Sequence, residues 1–450
     1  MTLAADTIAA IASAAGPAGV GVVRVSGSSS EALLRALFKA PPDSPIESHR
    51  MMYGQIAGDA GYAVLFRAPY TFTGEDVAEF HVHGGALNLR SVLRAAIAAG
   101  ARPARPGEFS ERAFWNGKID LARAEAIADI VAAEGEAALE YSRAASGGAL
   151  SQRVATLRDE LLGVRAALEV ALDHADDTAT TFDRAKAARD LGETLDATNR
   201  LVETHRVGRI AREGLRVAIV GRPNVGKSSL FNALVGDDRA LVDDAAGTTR
   251  DFIEDAIDVA GVRVTLVDTA GIREKAGSVE ARGIAHTRRA IASADAVVWV
   301  LDGSLAWTAD DTLVGELLGG RRAIAVINKA DCPLRLDVRA PLAHAIPVSA
   351  HTRLGLDAIG DALAQLIQVE PRPSDHGAPR VVITRERHRD ALSRAATAIA
   401  RAREGLAGTL PEECAATDIQ DALGALGEIT GETAHDELVN RIFRDFCVGK

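Results

Sequence analysis

The sequence predicts a multidomain α+β protein in which an α/β domain is inserted into a helical domain. Three observations lead to this prediction. The chain has 450 residues, which is too long for one hydrophobic core, so two to four domains are expected. Its apolar pattern changes from short strands to long helices and then to alternating strands and helices. Helical periodicity then returns, so two helical zones flank the α/β zone.

These changes of pattern set the expected domain bounds. Residues 1–118 alternate short apolar runs with Gly and Pro, which is typical of a small α+β domain. Residues 119–213 and 371–450 are helical, and residues 214–370 alternate strand, turn and helix. One long helix is marked by an apolar stripe at helical spacing, formed by Leu150, Val154, Leu157, Leu161, Val164 and Leu168. Neither helical half has enough helices to bury its own stripe, so we expect the two halves to form one domain.

The composition is that of an ordinary globular protein with no general attraction for polyanions. The formal net charge is -11, so any contact with RNA must be local or supplied by a partner. The chain has only three cysteines, an odd number that does not fit a disulfide framework: Cys332, Cys414 and Cys447. The apolar N-terminal stretch has no Lys or Arg before Arg24, and no segment has the length of a membrane span. We therefore expect a cytoplasmic protein that does not enter a membrane.

A phosphate-binding loop follows the first strand of the α/β zone. In "GRPNVGKSS", Gly221 is followed after four residues by Gly226, Lys227 and Ser228. The stretch lies between a β-branched run and a helical run, which is the context that a P-loop requires. Its backbone N–H groups can surround the β-phosphate, Lys227 can contact the β and γ oxygens, and Ser228 can ligate Mg²⁺. The alternative, a chance Gly-rich turn, does not explain these flanking patterns.

Two further segments fit the γ-phosphate side of such a site. "RVTLVDTAG" ends a strand at Asp268, from which a carboxylate can hold Mg²⁺ through water, and Gly271 can direct its N–H at the γ-phosphate. "DDAAGTTRD" lies where a switch loop is expected, and Thr249 can complete the Mg²⁺ shell. A solvated turn is the alternative for this loop. The residue after "DTAG" is Ile272, whereas Ras-like enzymes have a Gln there that orients the attacking water. Either the domain hydrolyses its nucleotide very slowly alone, or another group and another cation promote hydrolysis.

The base is predicted to be guanine. "AIAVINKAD" ends a strand in Asn328, Lys329 and Asp331, and a carboxylate at this position accepts both N–H donors of the guanine edge, a pattern that adenine lacks. "AIPVSA" supplies Ser349 and Ala350, whose backbone can cover the guanine O6. The residues expected to bind GTP are Asn224, Val225, Gly226, Lys227, Ser228, Ser229, Ala245, Ala246, Gly247, Thr248, Thr249, Arg250, Asp268, Thr269, Ala270, Gly271, Asn328, Lys329, Asp331, Ser349 and Ala350.

With these motifs in place, the whole chain resembles the MnmE (TrmE) family of tRNA-modification GTPases. The resemblance rests on "DTIAAIA", "GVGVVRVSG", "TFTGEDVAEFHVHGG", "ARPGEFSERAFWNGKIDLARAEAIADI", "GEITGE" and "FCVGK", which occur in order around the inserted domain. It implies a homodimer that acts on tRNA together with the FAD-dependent partner MnmG (GidA). The implied reaction adds an aminomethyl-type group, such as carboxymethylaminomethyl, to carbon 5 of the wobble uridine.

The resemblance also implies that the N-terminal domain binds a reduced folate, methylene- or formyl-tetrahydrofolate. The family's folate positions correspond to Arg24, Glu79, Lys118 and Lys450. A carboxylate can bind the pterin through two N–H donors, and Lys or Arg can pair with the folate carboxylates. Taken singly, each residue could equally be an ordinary surface charge. Cys447 is a candidate nucleophile toward carbon 6 of the uracil, the alternative being a helix-terminal thiol that shapes the folate pocket.

For GTP hydrolysis, the resemblance implies that two G domains meet around K⁺, which takes the place of an arginine finger. The implied metal ligands are Asn224, Asp243, Ala245 and Thr248 for K⁺, and Ser228 and Thr249 for Mg²⁺. The family's water-positioning glutamate corresponds to Glu280, although Ala281, Arg282 and Gly283 depart from the family pattern beside it. The candidate catalytic residues are then Lys227, Glu280 and Cys447.

A different class of function stays open at this point. The chain could be a regulatory or ribosome-assembly GTPase switch that performs no modification chemistry, because a G domain alone does not fix function. Binding of a reduced folate would discriminate between the two. Along one strand, His81 and His83 share a face, but two ligands are too few for a metal site, so packing or hydrogen bonding is expected for them.

Overall fold

The structure, a computed structural model, describes residues 6–14, 16–40, 45–173, 182–238, 253–269, 287–337, 342, 344–367, 381–408 and 410–449. The chain forms two compact units. The first comprises Met1–Val131, Ser142–Arg200 and Asp390–Lys450, and the second comprises Ala132–Tyr141 and Leu201–Arg389. The predicted multidomain α+β class is confirmed, whereas the four predicted segment bounds stay a prediction.

The strands and helices are numbered here in chain order. The strands are β1 Ile8–Ile11, β2 Ala18–Ser26, β3 Phe38–Lys39, β4 Met52–Ile56, β5 Asp59–Phe66, β6 Val77–Gly84, β7 Arg102–Pro103, β8 Leu215–Val220, β9 Ile253–Val259, β10 Val262–Asp268, β11 Ala296–Asp302, β12 Ala323–Asn328 and β13 Ile346–Pro347. The helices are α1 Ser30–Leu37, α2 Ala86–Ala98, α3 Glu108–Trp115, α4 Leu121–Ala132, α5 Glu136–Ser146, α6 Ala149–Asp173, α7 Arg184–Glu203, α8 His205–Glu213, α9 Lys227–Asp238, α10 Ala309–Leu318, α11 Leu356–Ile367, α12 Glu386–Ala407, α13 Glu412–Thr430 and α14 Asp436–Arg444. None of the helices in the described ranges combines the length and apolar character needed to cross a membrane.

The first unit contains a seven-stranded sheet in the order β3-β4-β5-β6-β2-β1-β7. Helices α1 and α2 pack on one face, where Leu34 and Val92 join Phe80 in a buried apolar cluster. Because side chains alternate along a strand, Arg24 and Glu79 point to the opposite face. They lie directly across from each other in the antiparallel pairing of β2 with β6. The sheet therefore brings together two residues that are far apart in the sequence.

The predicted apolar stripe forms the buried face of α6. All six of its residues are buried, namely Leu150, Val154, Leu157, Leu161, Val164 and Leu168. Helix α13 packs against α6, although α13 is far later in the chain. The later helical segment therefore supplies a partner for the earlier one, as the incomplete stripe predicts.

The second unit is built on a six-stranded sheet in the order β13-β12-β11-β8-β10-β9. Strands β10, β8, β11, β12 and β13 run parallel, and β9 pairs with β10 in the antiparallel direction. Every residue of β11, "AVVWVLD", is buried, as expected for a parallel strand covered on both faces. The carboxyl ends of the parallel strands share one sheet edge, where ligands bind in open α/β folds.

Candidate functional site

The loop between β8 and α9 has the backbone of a phosphate-binding loop. A Cβ atom at Gly221 would lie 2.3 Å from the carbonyl oxygen of Val300. At Gly226, which has φ +96°, a Cβ would lie 2.3 Å from Nδ2 of Asn328. Only glycine fits at either position, because any larger residue would have to displace its neighbour. The two glycines of the sequence motif are therefore required by close approach to neighbouring groups.

Lys227 is a buried cation at the first position of α9. Its residue is 8% exposed, and its Nζ donates to the carbonyl oxygens of Gly221 and Arg222, both at 2.9 Å. Burial lowers the pKa of Lys227, although the charge of Asp268 acts in the opposite direction. These two hydrogen bonds satisfy the ammonium group without neutralising it. The position suits a phosphate, whose negative charge would offset the cost of burial.

Ser228 and Asp268 bring a hydroxyl and a carboxylate together beside this lysine. Ser228 Oγ donates to Asp268 Oδ2 at 2.7 Å, and Asp268 is almost fully buried. Oxygen atoms of this kind suit Mg²⁺, which Ser228 and Asp268 would hold beside the phosphates. In the next position, Thr269 donates through Oγ1 to the carbonyl of Ile219 at 2.9 Å, which ties the segment after β10 to β8.

Asn328 joins three segments at the end of β12. Its side chain is buried, with Nδ2 donating to the carbonyl of Val225 at 2.9 Å and Oδ1 accepting from the backbone N–H of Ala350 at 3.1 Å. The amide thus connects the P-loop with the segment after β13. The structure therefore brings together the P-loop, the "NKAD" motif and the "VSA" motif, as the sequence predicts.

Asp331 is oriented by a neighbouring hydroxyl. Ser349 Oγ donates to Asp331 Oδ1 at 2.6 Å, and this hydrogen bond lowers the pKa of Asp331. The second carboxylate oxygen, Oδ2, accepts a weak hydrogen bond from the thiol of Cys332 at 3.8 Å. An ionised carboxylate held in this way can accept the two N–H groups of a guanine edge.

Asp302 was not predicted from the sequence, although it belongs to the same site. It ends β11 and is 2% exposed, and its Oδ2 accepts from Lys329 Nζ at 2.6 Å. The same ammonium group lies 3.4 Å from the carbonyl oxygen of Asn224. Burial alone would raise the pKa of Asp302, but hydrogen bonds from Lys329 and Ser304 outweigh it and lower that pKa. The strand end "VLD" is a sequence signal for a polar residue at a strand terminus, but the pairing of Asp302 with Lys329 depends on β11 and β12 being neighbours in the sheet.

Several predicted residues lie outside the described ranges, and their roles stay predictions. They are Asp243, Ala245, Ala246, Gly247, Thr248, Thr249, Arg250, Ala270, Gly271, Glu280 and Lys450. Of the predicted P-loop residues, Asn224 and Ser229 are exposed and Val225 is buried. Asn224 has φ +63°, a left-handed conformation that Asn tolerates better than most residues.

In the first unit, Arg24 and Glu79 form an ion pair on the sheet face opposite α1 and α2. Arg24 Nε lies 2.8 Å from Glu79 Oε1, and His81 Nε2 lies 3.2 Å from Glu79 Oε2. Burial would raise the pKa of Glu79, but the hydrogen bond from His81 and the charge of Arg24 outweigh it and lower that pKa. The Arg24 guanidinium also lies 5.8 Å from the ring centre of Phe109. A carboxylate and a guanidinium are therefore placed side by side on this face, and their assignment to a folate stays a prediction.

Lys118 lies against the loop between β5 and β6. Its Nζ donates to the carbonyl of Pro69 at 2.8 Å, and Asn116 Nδ2 donates to the carbonyl of Thr73 at 2.7 Å. Gly74, with φ +78°, passes so close that a Cβ there would lie 3.2 Å from Lys118 Cγ. Lys118 thus holds this loop, and its cation is directed at the loop carbonyl and not at Glu79.

The segment that contains Cys447 is packed against the N-terminal sheet. A Cβ at Gly449 would lie 2.3 Å from the carbonyl oxygen of Ile11 in β1, and one at Gly107 would lie 2.4 Å from that of Phe443. The N–H of Gly107 donates to the carbonyl of Cys447 at 3.3 Å. Cys447 itself is exposed with a free thiol. Its position is fixed by its neighbours while its sulfur stays accessible.

The two histidines of "HVHGG" are hydrogen-bonded, as the sequence predicts. His81 contacts Glu79, and His83 Nδ1 lies 2.8 Å from Asp59 Oδ1. No cluster of three or more His, Cys, Asp or Glu suited to a metal ion occurs in the described part of the chain.

Comparison with known proteins identifies the family. A family model described as the MnmE helical domain matches residues 121–447, and one described as the GTP-binding protein TrmE N-terminus matches residues 7–118. The "tRNA modification GTPase MnmE" of Synechococcus sp. (strain RCC307) is 42% identical over 462 residues, covering 100% of both chains. The protein of the same name from Geobacter sulfurreducens is 40% identical, covering 99% of each.

Two solved structures illustrate the similarity to part of the chain. Era in complex with MgGDPNP and a segment of 16S ribosomal RNA is 24% identical, with a TM-score of 0.29 over 41% of this chain and 66% of that one. The G domain of the T. maritima FeoB transporter is 25% identical, with a TM-score of 0.27 over 34% of this chain and 99% of that one. With full-length relatives and both family models in agreement, the chain belongs to the MnmE family of tRNA modification GTPases.

Proposed function

We propose that this GTPase drives modification of carbon 5 of the wobble uridine in tRNA, acting as a homodimer with the FAD-dependent partner MnmG. The observation that carries the proposal is the presence, in one chain, of the nucleotide site and of the Arg24–Glu79 pair in a family N-terminal domain. A reduced folate, methylene- or formyl-tetrahydrofolate, would supply the one-carbon unit. Cys447 is a candidate to add to carbon 6 of the uracil, which activates carbon 5 toward that unit.

For hydrolysis, the residues of the second unit would bind and orient GTP. Lys227 would contact the β and γ oxygens and Asp331 would accept from the guanine edge, while Ser228 and Asp268 would hold Mg²⁺, which would supply charge neutralisation at the phosphates. Ile272 has no group that can orient a water molecule. We therefore assign that task to Glu280.

Potassium is proposed as the activating cation at a G-domain dimer, held by Asn224 with Asp243, Ala245 and Thr248. Support comes from Asn224, whose side chain is exposed and whose backbone carbonyl is fixed by Lys329 at 3.4 Å. A side-chain oxygen on a fixed, accessible loop can act as a ligand without reorganisation of the loop. The remaining proposed ligands lie outside the described residues.

The test of this proposal is the GTP hydrolysis rate in KCl and in NaCl at equal ionic strength. Asn224→Gly is the informative variant, because Gly tolerates φ +63° whereas Ala would add backbone strain. We expect a rate that is much higher in K⁺ for the natural chain and equal in both salts for the variant. GDP affinity, measured in parallel, should be unchanged in the variant. Equal rates in both salts for the natural chain would rule out the potassium mechanism.

Folate binding tests the modification chemistry separately. Titration with formyl-tetrahydrofolate should show binding to the natural chain and about tenfold weaker binding to Glu79→Gln, because a charge-assisted pair of hydrogen bonds is lost. Glu47→Gln is the matched control, since Glu47 also pairs with an arginine, Arg50, but on an exposed surface. A natural chain that binds no folate would favour a regulatory GTPase without modification chemistry.

A further inference from the structure

A cleft in the second unit lies at the sheet edge opposite the nucleotide site. Its volume is about 340 Å³, and its polar lining is Arg206, Arg209, Asp295 and Arg322. Asp295 and Arg322 lie at the amino ends of β11 and β12, and the first two arginines belong to α8. Each strand rises roughly 3.3 Å per residue, so the length of β8 puts the cleft about 20 Å from the P-loop. A ligand in the cleft would therefore not overlap GTP.

The single carboxylate in this lining is already engaged. Asp295 Oδ1 lies 2.7 Å from Arg209 Nη2, and its Oδ2 accepts from the backbone N–H of Arg216 at 3.1 Å. This geometry neutralises Arg209 and holds it in place. Asp295 is thus committed to one of the three lining arginines.

The other two arginines have no carboxylate partner among the residues that the structure describes. Arg206 Nη2 donates only to a neutral group, the carbonyl of Leu366, at 3.2 Å. For Arg322 the backbone is fixed, because its carbonyl accepts from the N–H of Val297 at 3.2 Å. Both residues are exposed. The cleft therefore carries an excess of positive charge on a chain whose net charge is -11.

We propose that this cleft binds phosphate groups of the tRNA backbone. The inference rests on the proposed function, which makes tRNA the substrate. An acidic protein attracts a polyanion only where cations are locally concentrated. Guanidinium groups suit this task, because their planar forks pair with two phosphate oxygens at once.

The shape of the cleft favours a backbone over a free anion. Arg206 and Arg322 are exposed, so the site is accessible to a long strand that passes across it. Leu366, which is partly exposed, provides apolar lining, against which the carbon face of a ribose can pack. Backbone contacts of this kind position a nucleic acid and carry no sequence information. The cleft would therefore orient the tRNA without selecting its anticodon.

The test is the affinity for an unmodified tRNA transcript, measured by fluorescence anisotropy between about 50 and 200 mM KCl. The variant is Arg206→Ala/Arg322→Ala. The control is Arg35→Ala/Arg50→Ala, which removes the same charge from arginines that already pair with Glu31 and Glu47. We expect affinity to fall roughly tenfold in the first variant, with a salt slope smaller by about 1 for each lost phosphate contact. The control should bind like the natural chain.

Two further measurements separate the possible failures. GTP hydrolysis in the absence of tRNA should be unchanged in both double variants, which shows that they are folded. Arg206→Lys/Arg322→Lys should keep the salt slope and lose part of the affinity, since the charge is retained and the fork is lost. A natural chain that binds no tRNA would overturn the proposed function together with this inference. Equal tRNA affinity in the two alanine variants would overturn the inference alone.

The source of the phosphate is tested by titration with inorganic phosphate. If the Arg206→Ala/Arg322→Ala variant loses phosphate binding and keeps full tRNA affinity, the cleft is a small-anion site and the RNA assignment is wrong. If tRNA affinity falls and inorganic phosphate binds weakly to all variants, the backbone assignment holds.

Discussion

At the scale of single residues, Asp302 links the guanine-binding motif to the P-loop. Its buried carboxylate holds Lys329 at 2.6 Å, and Lys329 reaches the carbonyl of Asn224. Lys329 has φ +64°, so its side chain leaves the strand end in an unusual direction. Asp302 acts through this lysine and not on the nucleotide itself, which makes it a positioning residue.

We therefore predict that Asp302→Asn weakens GTP binding while leaving turnover nearly intact. A hydrogen bond to a charged group contributes about 1.5–3 kcal/mol when buried, and less here because Lys329 is 38% exposed at its side chain. We expect KM for GTP to rise about fivefold, which corresponds to about 1 kcal/mol, with kcat within about twofold. Ser304→Ala is the control, since it removes a hydroxyl donor to the same carboxylate but leaves the charge. An unchanged KM in Asp302→Asn would show that Lys329 needs no partner.

The nucleotide motifs could be predicted from the sequence because their spacing is local. Gly221, Gly226 and Lys227 lie within seven consecutive residues, and the strand before them and the helix after them define their geometry. Asp302 could not be assigned in this way, because its partner is 27 residues away. That contact depends on β11 and β12 being neighbours in the sheet. Strand order is not readable from periodicity, so pairs across strands appear only in the structure.

At the scale of elements, the buried stripe of α6 shows how one helix face stabilises the first unit. Leu157 is 0% exposed, whereas Leu162 on the same helix is 44% exposed. We predict that Leu157→Ala lowers the free energy of unfolding by about 2–5 kcal/mol through lost burial and a residual cavity. Leu162→Ala should change it by less than about 0.5 kcal/mol. Denaturant unfolding followed by circular dichroism measures both, and similar effects of the two variants would contradict the packing of α6.

Helix α3 carries a carboxylate whose burial should make stability depend on pH. Glu111 is buried, and that burial raises its pKa even though Arg105 Nη2 lies 2.9 Å from Oε2. A carboxyl whose folded pKa is raised favours the folded state at low pH, and this stability is lost as pH rises through the folded pKa. We predict that Glu111→Gln has a higher free energy of unfolding than the natural chain at pH 7. This difference should shrink as the pH falls toward 4.5, the ordinary pKa of Glu.

Unfolding free energies of the two proteins, measured across this pH range, test the prediction. Glu47→Gln is the matched control, because its half-exposed carboxylate also pairs with an arginine. The prediction is contradicted if the difference in unfolding free energy between Glu111→Gln and the natural chain is constant from pH 4 to pH 7, or is largest at low pH. Either result would show that ionisation of the buried Glu111 does not destabilise the folded state. The sequence alone gives no sign of this effect, because "PGEFSERAF" does not show that both of its glutamates, Glu108 and Glu111, are buried, nor that the pKa is lowered for the first and raised for the second.

At the scale of the whole molecule, the second unit is inserted in the sequence between segments of the first. The first unit is assembled from three stretches of the chain and the second from two. Each unit therefore combines segments that are far apart in the sequence. Each also has its own apolar clusters, one around Phe80 and Leu34 and another around Val217 and Val298. Units with separate cores are expected to unfold separately, each with its own midpoint.

Only the second unit contains the P-loop and the guanine motif, so nucleotide should stabilise that unit alone. At a GDP concentration of about 100 times Kd, linkage adds about 2.7 kcal/mol to the state that binds. We predict two calorimetric transitions, of which one rises with Mg²⁺ and GDP and the other does not. Leu157→Ala should lower the nucleotide-insensitive transition, and Val298→Ala, in β11, should lower the sensitive one. A single transition that both variants and GDP move together would mean that the units unfold as one cooperative body. That outcome would make the folding of the first unit dependent on the nucleotide bound to the second, because any ligand that binds only the folded state would then stabilise both.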